Sequence, residues 1–266
     1  MRLAHTLAAV TMRRARWRSI LVTVLAVTFG LQAVHGPASI AAAGEVTAQA
    51  VRCLPEARLD LLGGLFDSEP AGVVGADYQR ATALVDGRVL WTFQDAAIRL
   101  GPDEIRIVHN IGAVQDGACF TILYGGTRSD PRPFLFAEST EPFERWFWPL
   151  DAETGADGRV YVFVAEMVER GEEYLDHVEP VATRLVALDA VTLHPVDERL
   201  APNPSAALYG WSVTSDPDWT YLYAQCYRQF GFDPTDEFPD VAGHDRSCSA
   251  RVTVGRVPRG RMLEPP

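Results

Sequence analysis

From about residue 70 onward the chain is written in short apolar runs cut by Gly, Pro and Asp, and helical periodicity is nearly absent. Runs such as "VLWTF", "CFTILYGG" and "RVYVFV" are rich in β-branched and aromatic residues, which favour strands. The first of them shows the pattern in full: in "DGRVLWTFQDA" the Asp86-Gly87 turn opens a strand, and the carboxylate of Asp95 closes it. A charge at the mouth of a buried strand needs solvent, a partner or a function, because burying it unpaired costs several kcal/mol.

The same pattern returns twice. "ATALVDGRVLWTFQDA" at 81–96, "DAETGADGRVYVFVAEM" at 151–167 and "GWSVTSDPDWTYLYAQC" at 210–226 each set a turn of Asp, Gly or Pro before an aromatic strand with a polar end. The turns fall near 86, 157 and 217, and further strands follow each. A repeat of this size built from four short antiparallel strands predicts an all-β fold, a β-propeller whose blades shield one another's edges. A β-sandwich is the other arrangement open to the same strands. Three recognisable blades, with "RLDLLGGLFD" as part of another, fall short of a closed ring of about four to eight, so an incomplete propeller is expected.

Residues 1–43 stand apart. Five arginines (Arg2, Arg13, Arg14, Arg16, Arg18) and no acid precede the apolar run "SILVTVLAVTFGLQAV" and the small residues "ASIAAAG". This is the layout of a secretory signal, with Ala41 and Ala43 before a cut at Gly44; an uncleaved anchor is the alternative. One domain then spans 44–266, secreted or bound to the cell envelope. Without those five arginines, 19 basic side chains face 35 acids, and no lysine occurs anywhere. Such a surface argues against nucleic acid and anionic membranes and leaves neutral ligands such as sugars. Cys53, Cys119, Cys226 and Cys248 form no CxxC pair, so disulfides rather than a metal or redox site are expected, with Cys53–Cys119 and Cys226–Cys248 the favoured pairing of three.

Blade ends that meet in a depression provide what glycoside hydrolysis requires, two carboxylates flanking one bond. Asp77 in "GADYQRA" and Asp95 are the leading candidates, followed by Glu166 and Asp151; each also reads as an ordinary turn acid. Arg80 and Trp91 are candidate substrate-binding residues, and Arg80 could instead keep a neighbouring carboxylate ionised or form a surface ion pair; the His109-Asn110 pair in "IVHNIGAV" could bond sugar hydroxyls or orient a carboxylate, or simply be satisfied by backbone. In "FERWFWPL", Trp146 and Trp148 point the same way on a strand, and Trp148 with Pro149 forms a platform of the kind on which sugar rings pack, although packing between blades explains it equally. There is no GxSxG, HExxH, Walker or GxGxxG motif, and the acidic "DPTDEFPD" fits no calcium loop, so neither cofactor nor metal is expected.

Taken in order, "GADYQRA", "DGRVLWTFQDA", "VHNIGAV", "WFWPLDAETGADGRVYVF", "YGWSVTSDPDWTYLYAQC" and "RVTVGRVPRG" resemble the motif series of the secreted five-bladed propellers catalogued as domain of unknown function 4185. Members of that family act as endo-D-arabinanases on cell-envelope arabinan. The resemblance implies that Asp77 and Asp95 are rim acids of a central cleft and that His109 and Asn110 lie on the strand facing it. Here Gln94-Asp95-Ala96 stands where the family has Gly-Asp-Thr, and the last blades have no counterpart. The expectation is a carboxylate-dependent hydrolase of a furanose-containing polysaccharide. The rivals are a non-catalytic carbohydrate-binding or surface-interaction propeller, and an inactive truncated relative that self-associates to complete its ring.

Overall fold

The computed structural model describes residues 46–48, 52–53, 72–137, 144–169, 178–201, 207–226 and 252–263. The leader, "RLDLLGGLFD", "DPTDEFPD" and the Cys226–Cys248 pairing lie outside the described residues. Among those residues there are seventeen strands and no helix. In chain order they are β1 (Val46–Ala48), β2 (Arg52–Cys53), β3 (Val73–Ala76), β4 (Arg80–Ala83), β5 (Val89–Phe93), β6 (Ala96–Arg99), β7 (Ile105–Val108), β8 (Ile111–Asp116) and β9 (Cys119–Thr127). There follow β10 (Asp130–Arg132), β11 (Arg145–Thr154), β12 (Arg159–Glu169), β13 (Val178–Asp189), β14 (Pro195–Leu200), β15 (Ala207–Ser215), β16 (Trp219–Cys226) and β17 (Thr253–Pro258).

The three repeated stretches become three antiparallel hairpins, β4–β5, β11–β12 and β15–β16. Their turns close by the same local chemistry. The side chain of Asp86 accepts from the Arg88 amide at 3.1 Å, Asp157 from Arg159 at 3.2 Å, and Asp216 from Asp218 at 2.8 Å. These Asx contacts let a short acid mimic a backbone turn. In the first two, glycine takes the left-handed conformation that the turn needs, Gly87 at φ 89° and Gly158 at φ 77°.

Each hairpin begins a sheet. The orders are β4-β5-β8-β9, with β1, β2 and β10 added on β9, then β11-β12-β13-β14, and β15-β16-β17. Edge strands β4, β11 and β15 are neighbours, tied by Thr154 Oγ1 donating to the Ala83 carbonyl at 2.6 Å and the Val213 amide donating to Asp151 at 2.8 Å. This is a propeller-like succession of antiparallel sheets. One apolar cluster (Leu90, Phe147, Val160, Val162, Val164) fills the space between the first and second sheets, and another (Trp146, Tyr161, Phe163, Met167, Leu208) lies between the second and third. Cys53 and Cys119 are disulfide-bonded, fixing β2 to β9 as the favoured pairing expects.

β4 is the edge strand of its sheet and β5 the second, so Asp95 follows a second strand, and Glu166, expected just after its strand, lies within β12.

A small sheet, β3-β6-β7, continues the first blade. Its strands feed β4 and β8 and receive the chain from β5, so three crossings lie side by side: 77–79, 94–95 and 109–110. Asn110 locks this seam. Fully buried, it donates to the carbonyls of Leu135 and Phe147, both at 2.8 Å, and accepts from the Leu135 amide at 2.6 Å. Asn110→Ala strands those backbone groups away from water, at about 1–3 kcal/mol for each group left unsatisfied. Thermal unfolding followed by circular dichroism should show a Tm lower by roughly 6–12 °C for a total loss of about 3 kcal/mol.

Candidate functional site

The seam brings together residues far apart in sequence. The Asp77 amide donates to the Asp95 carbonyl at 3.0 Å, and the Gln94 amide donates to the Asp77 carbonyl at 3.1 Å. This backbone exchange sets two carboxyl-bearing residues on adjacent crossings. His109, on the third crossing, places Nδ1 3.0 Å from Asp95 Oδ1, and the indole Nε1 of Trp148 on β11 donates to the same oxygen at 3.0 Å. A carboxylate only accepts, so His109 carries its proton on Nδ1 in this pair. Among the described residues Asp95 Oδ2 takes no hydrogen bond, and the side chain is 24% exposed. One oxygen is thus held by two donors while the other has no partner among the described residues.

The imidazole is held from behind. It stacks on the buried Trp146 ring at 4.2 Å, and its Nε2 lies 3.5 Å from Glu144 Oε1. Trp146 in turn meets Trp148 edge-on at 6.1 Å, so the two indoles share a side of β11, as alternation along the strand requires. Gln94 anchors the seam to the same strand by donating to the Pro149 carbonyl at 3.1 Å.

Asp77 differs electrostatically from an ordinary surface acid. Crowding by protein, and then the like charge of Asp95, raise its carboxyl above the usual range against the opposing pull of backbone amides. Much of the residue remains open to water, which screens the effect.

The other candidates separate. Asp151 occupies a bulge of β11, where its oxygens accept from the Ala152 and Val213 amides, so it clips two edge strands together. Glu166 is 4% exposed and bonded by Arg145 at 2.7 Å and Arg184 at 2.5 Å. Alternation along β12 sets it with Val160, Val162 and Val164, on the face opposite Trp148's neighbours. Asn110 spends its amide on the frame. Trp91 donates to Gln115 and lines an apolar cleft of about 310 Å³ with Val73, Phe93, Ile111 and Phe120. The structure therefore assembles Asp77, Asp95, His109 and Trp148, and adds Glu144 and Trp146, which the sequence reading did not select as site residues. Their signal was the period-two spacing of Glu144, Trp146 and Trp148.

Arg80, at the start of β4, lies over the ring of Tyr78 at 4.0 Å, and Tyr78 meets Trp211 edge-on at 5.2 Å. Neither aromatic ring stood out in the sequence as a site residue. Trp211 is presented by a second bulge, between Tyr209 and Ser212 of β15, beside Gly210 at φ 89°. At Gly210 a Cβ would fall 2.2 Å from the Phe163 ring, so only glycine fits.

Fold and site define an all-β protein of repeated hairpins whose polar cluster stands on a seam between two sheets. Residues 64–234 match the family described as a domain of unknown function, DUF5005, and the chain belongs to that family. The likeness to domain of unknown function 4185 rests on the motif series alone. No curated protein matches the chain at a significant level. Among solved structures, a presumptive hydrolase from Bacteroides ovatus is similar at 17% identity and a TM-score of 0.49, over 62% of this chain and 48% of that one. The chain thus spans about half the length of that protein.

The Asp77 shift has a testable sign. A carboxyl whose value is raised by folding contributes stability that is complete below the unfolded value of about 3.9 and is lost as pH rises through the folded one. Asp77→Asn removes this titration. Its Tm relative to the unmodified protein should therefore rise as pH increases above the ordinary carboxyl value of about 3.9, and level off once Asp77 is ionised in the folded protein. A constant difference across differential scanning calorimetry runs would show that Asp77 is not perturbed.

Proposed function

We propose that the protein hydrolyses glycosidic bonds of an extracellular or envelope polysaccharide containing furanose sugars, with Asp77 and Asp95 as the working pair. The observation that carries this reading is Asp95: one oxygen is fixed by His109 and Trp148, the other has no partner among the described residues, and a second carboxyl with a raised pKa stands on the adjacent crossing. Divergent environments for two neighbouring acids are the arrangement that lets one give a proton while the other stays ionised.

In this reading Asp77 delivers its proton to the departing glycosidic oxygen. Asp95 Oδ2 either attacks the anomeric carbon or takes a proton from the water that does, and the anomer first released distinguishes the two. His109 and Trp148 hold the carboxylate in aim, and the partly exposed Trp148 ring is an aromatic group of the kind on which sugars pack. Glu166 and Asp151 support the frame.

The full chain incubated with arabinan, galactan and arabinogalactan should release short oligosaccharides detectable by chromatography. Asp95→Asn should lower that release by about 10²–10⁴-fold, while Tm moves by no more than about 3 °C, the equivalent of roughly 1 kcal/mol. Unaltered release by the variant rejects Asp95 as a catalytic residue. Binding without release by the unmodified protein favours a carbohydrate-binding propeller instead.

A further inference from the structure

Resting on the glycan reading above, we propose that Tyr78, Arg80 and Trp211 form a separate subsite for an acidic sugar, a uronate whose carboxylate pairs with Arg80. The guanidinium carbon of Arg80 lies over the Tyr78 ring at 4.0 Å from its centroid, and Nη1 donates to the neighbouring Gln79 carbonyl at 3.1 Å. A guanidinium carries five N–H donors in a planar fork, so donors remain beyond that bond, and two parallel ones match a carboxylate.

Among the described residues, no acid pairs with these donors. Asp151 accepts from two backbone amides, and Asp95 is held by His109 and Trp148. Asp77 forms no ion pair with Arg80 among the described residues, and its carboxyl is displaced toward the protonated form. Among the described residues, this partly buried guanidinium has no carboxylate partner, in a chain with 35 acidic side chains against 24 arginines.

The backbone marks the same place. Tyr78 is a non-glycine residue at φ 48°, a conformation that costs about 1 kcal/mol or more and is held here between Arg80 and Trp211. Its hydroxyl is buried and has no hydrogen-bond partner among the described residues. Strain and an unmatched polar atom both oppose stability, and they collect where a structure is kept for binding. The two bulges that present Asp151 and Trp211 lie on neighbouring edge strands, so the group sits at one level of the edge formed by β4, β11 and β15. An aromatic surface beside a cation suits a ring with one apolar face and one carboxylate.

The test uses the full chain carrying Asp95→Asn, so that binding is read without turnover, with tri-galacturonate and a neutral arabino-trisaccharide as calorimetric probes. Tri-galacturonate should bind at least 10-fold more tightly than the neutral probe, and added salt should narrow the gap. Adding Arg80→Gln should weaken tri-galacturonate at least 10-fold while leaving the neutral probe within 2-fold, and Arg80→Lys should fall between. Equal affinity for both probes, or an equal loss for both in Arg80→Gln, overturns the subsite and leaves the glycan reading standing. Binding of neither probe overturns both.

Discussion

The seam between the first blade and its small companion sheet depends on one buried amide. Asn110 holds the chain after β10 through Leu135 and holds β11 through Phe147, so a single side chain connects three separate stretches of backbone. Hydrogen bonds of this kind are modest when intact and costly when half broken, which gives the arrangement its rigidity. His109 precedes Asn110 on the same crossing. Whatever locks the amide also sets where the imidazole stands, and through it the orientation of Asp95. Fold and site are thus secured by consecutive residues.

Much of the architecture was legible because the signals are local. An Asp followed by Gly or by Pro-Asp makes its own turn, and the strands on either side declare themselves by composition. The Cys53–Cys119 pairing, favoured in the sequence among three because it ties the N-terminal segment to a strand, is the one formed. What local pattern does not contain is which residues of different strands share a level. Glu166 looks like Asp95, an acid after an aromatic run, but β12 continues through Glu169, and period two carries Glu166 to the other face, where only Arg145 and Arg184 make it tolerable. The bulges of β11 and β15 were equally hidden, because an extra residue is visible only against a partner strand.

The absence of lysine gives the cross-links a particular form. Arg88 donates to Asp86 within its own turn and to the carbonyls of Ala190 and Val191 in the turn between β13 and β14, joining two sheets from one side chain. Arg184 spans Glu166 and Glu198 in the same manner. A planar fork with five donors can serve two acceptors at fixed angles, which a point-charge ammonium on a flexible stem does less well. In a strongly acidic chain these forks bring the few cations to places where several acceptors converge.

The outer edge of β9 is covered by β1 and β2, and the second of these is bonded covalently through Cys53 and Cys119. A bare edge of this length would be a template for pairing with other chains. The covering also determines how the blade bears load. Tension entering from the N-terminal side reaches the three hydrogen-bonded residues of β1 first and then meets a covalent bond, so it is transmitted into β9 as a whole instead of peeling the blade strand by strand. The same bond closes residues 53–119 into one covalent loop, and Asp77, Asp95 and His109 all lie inside it.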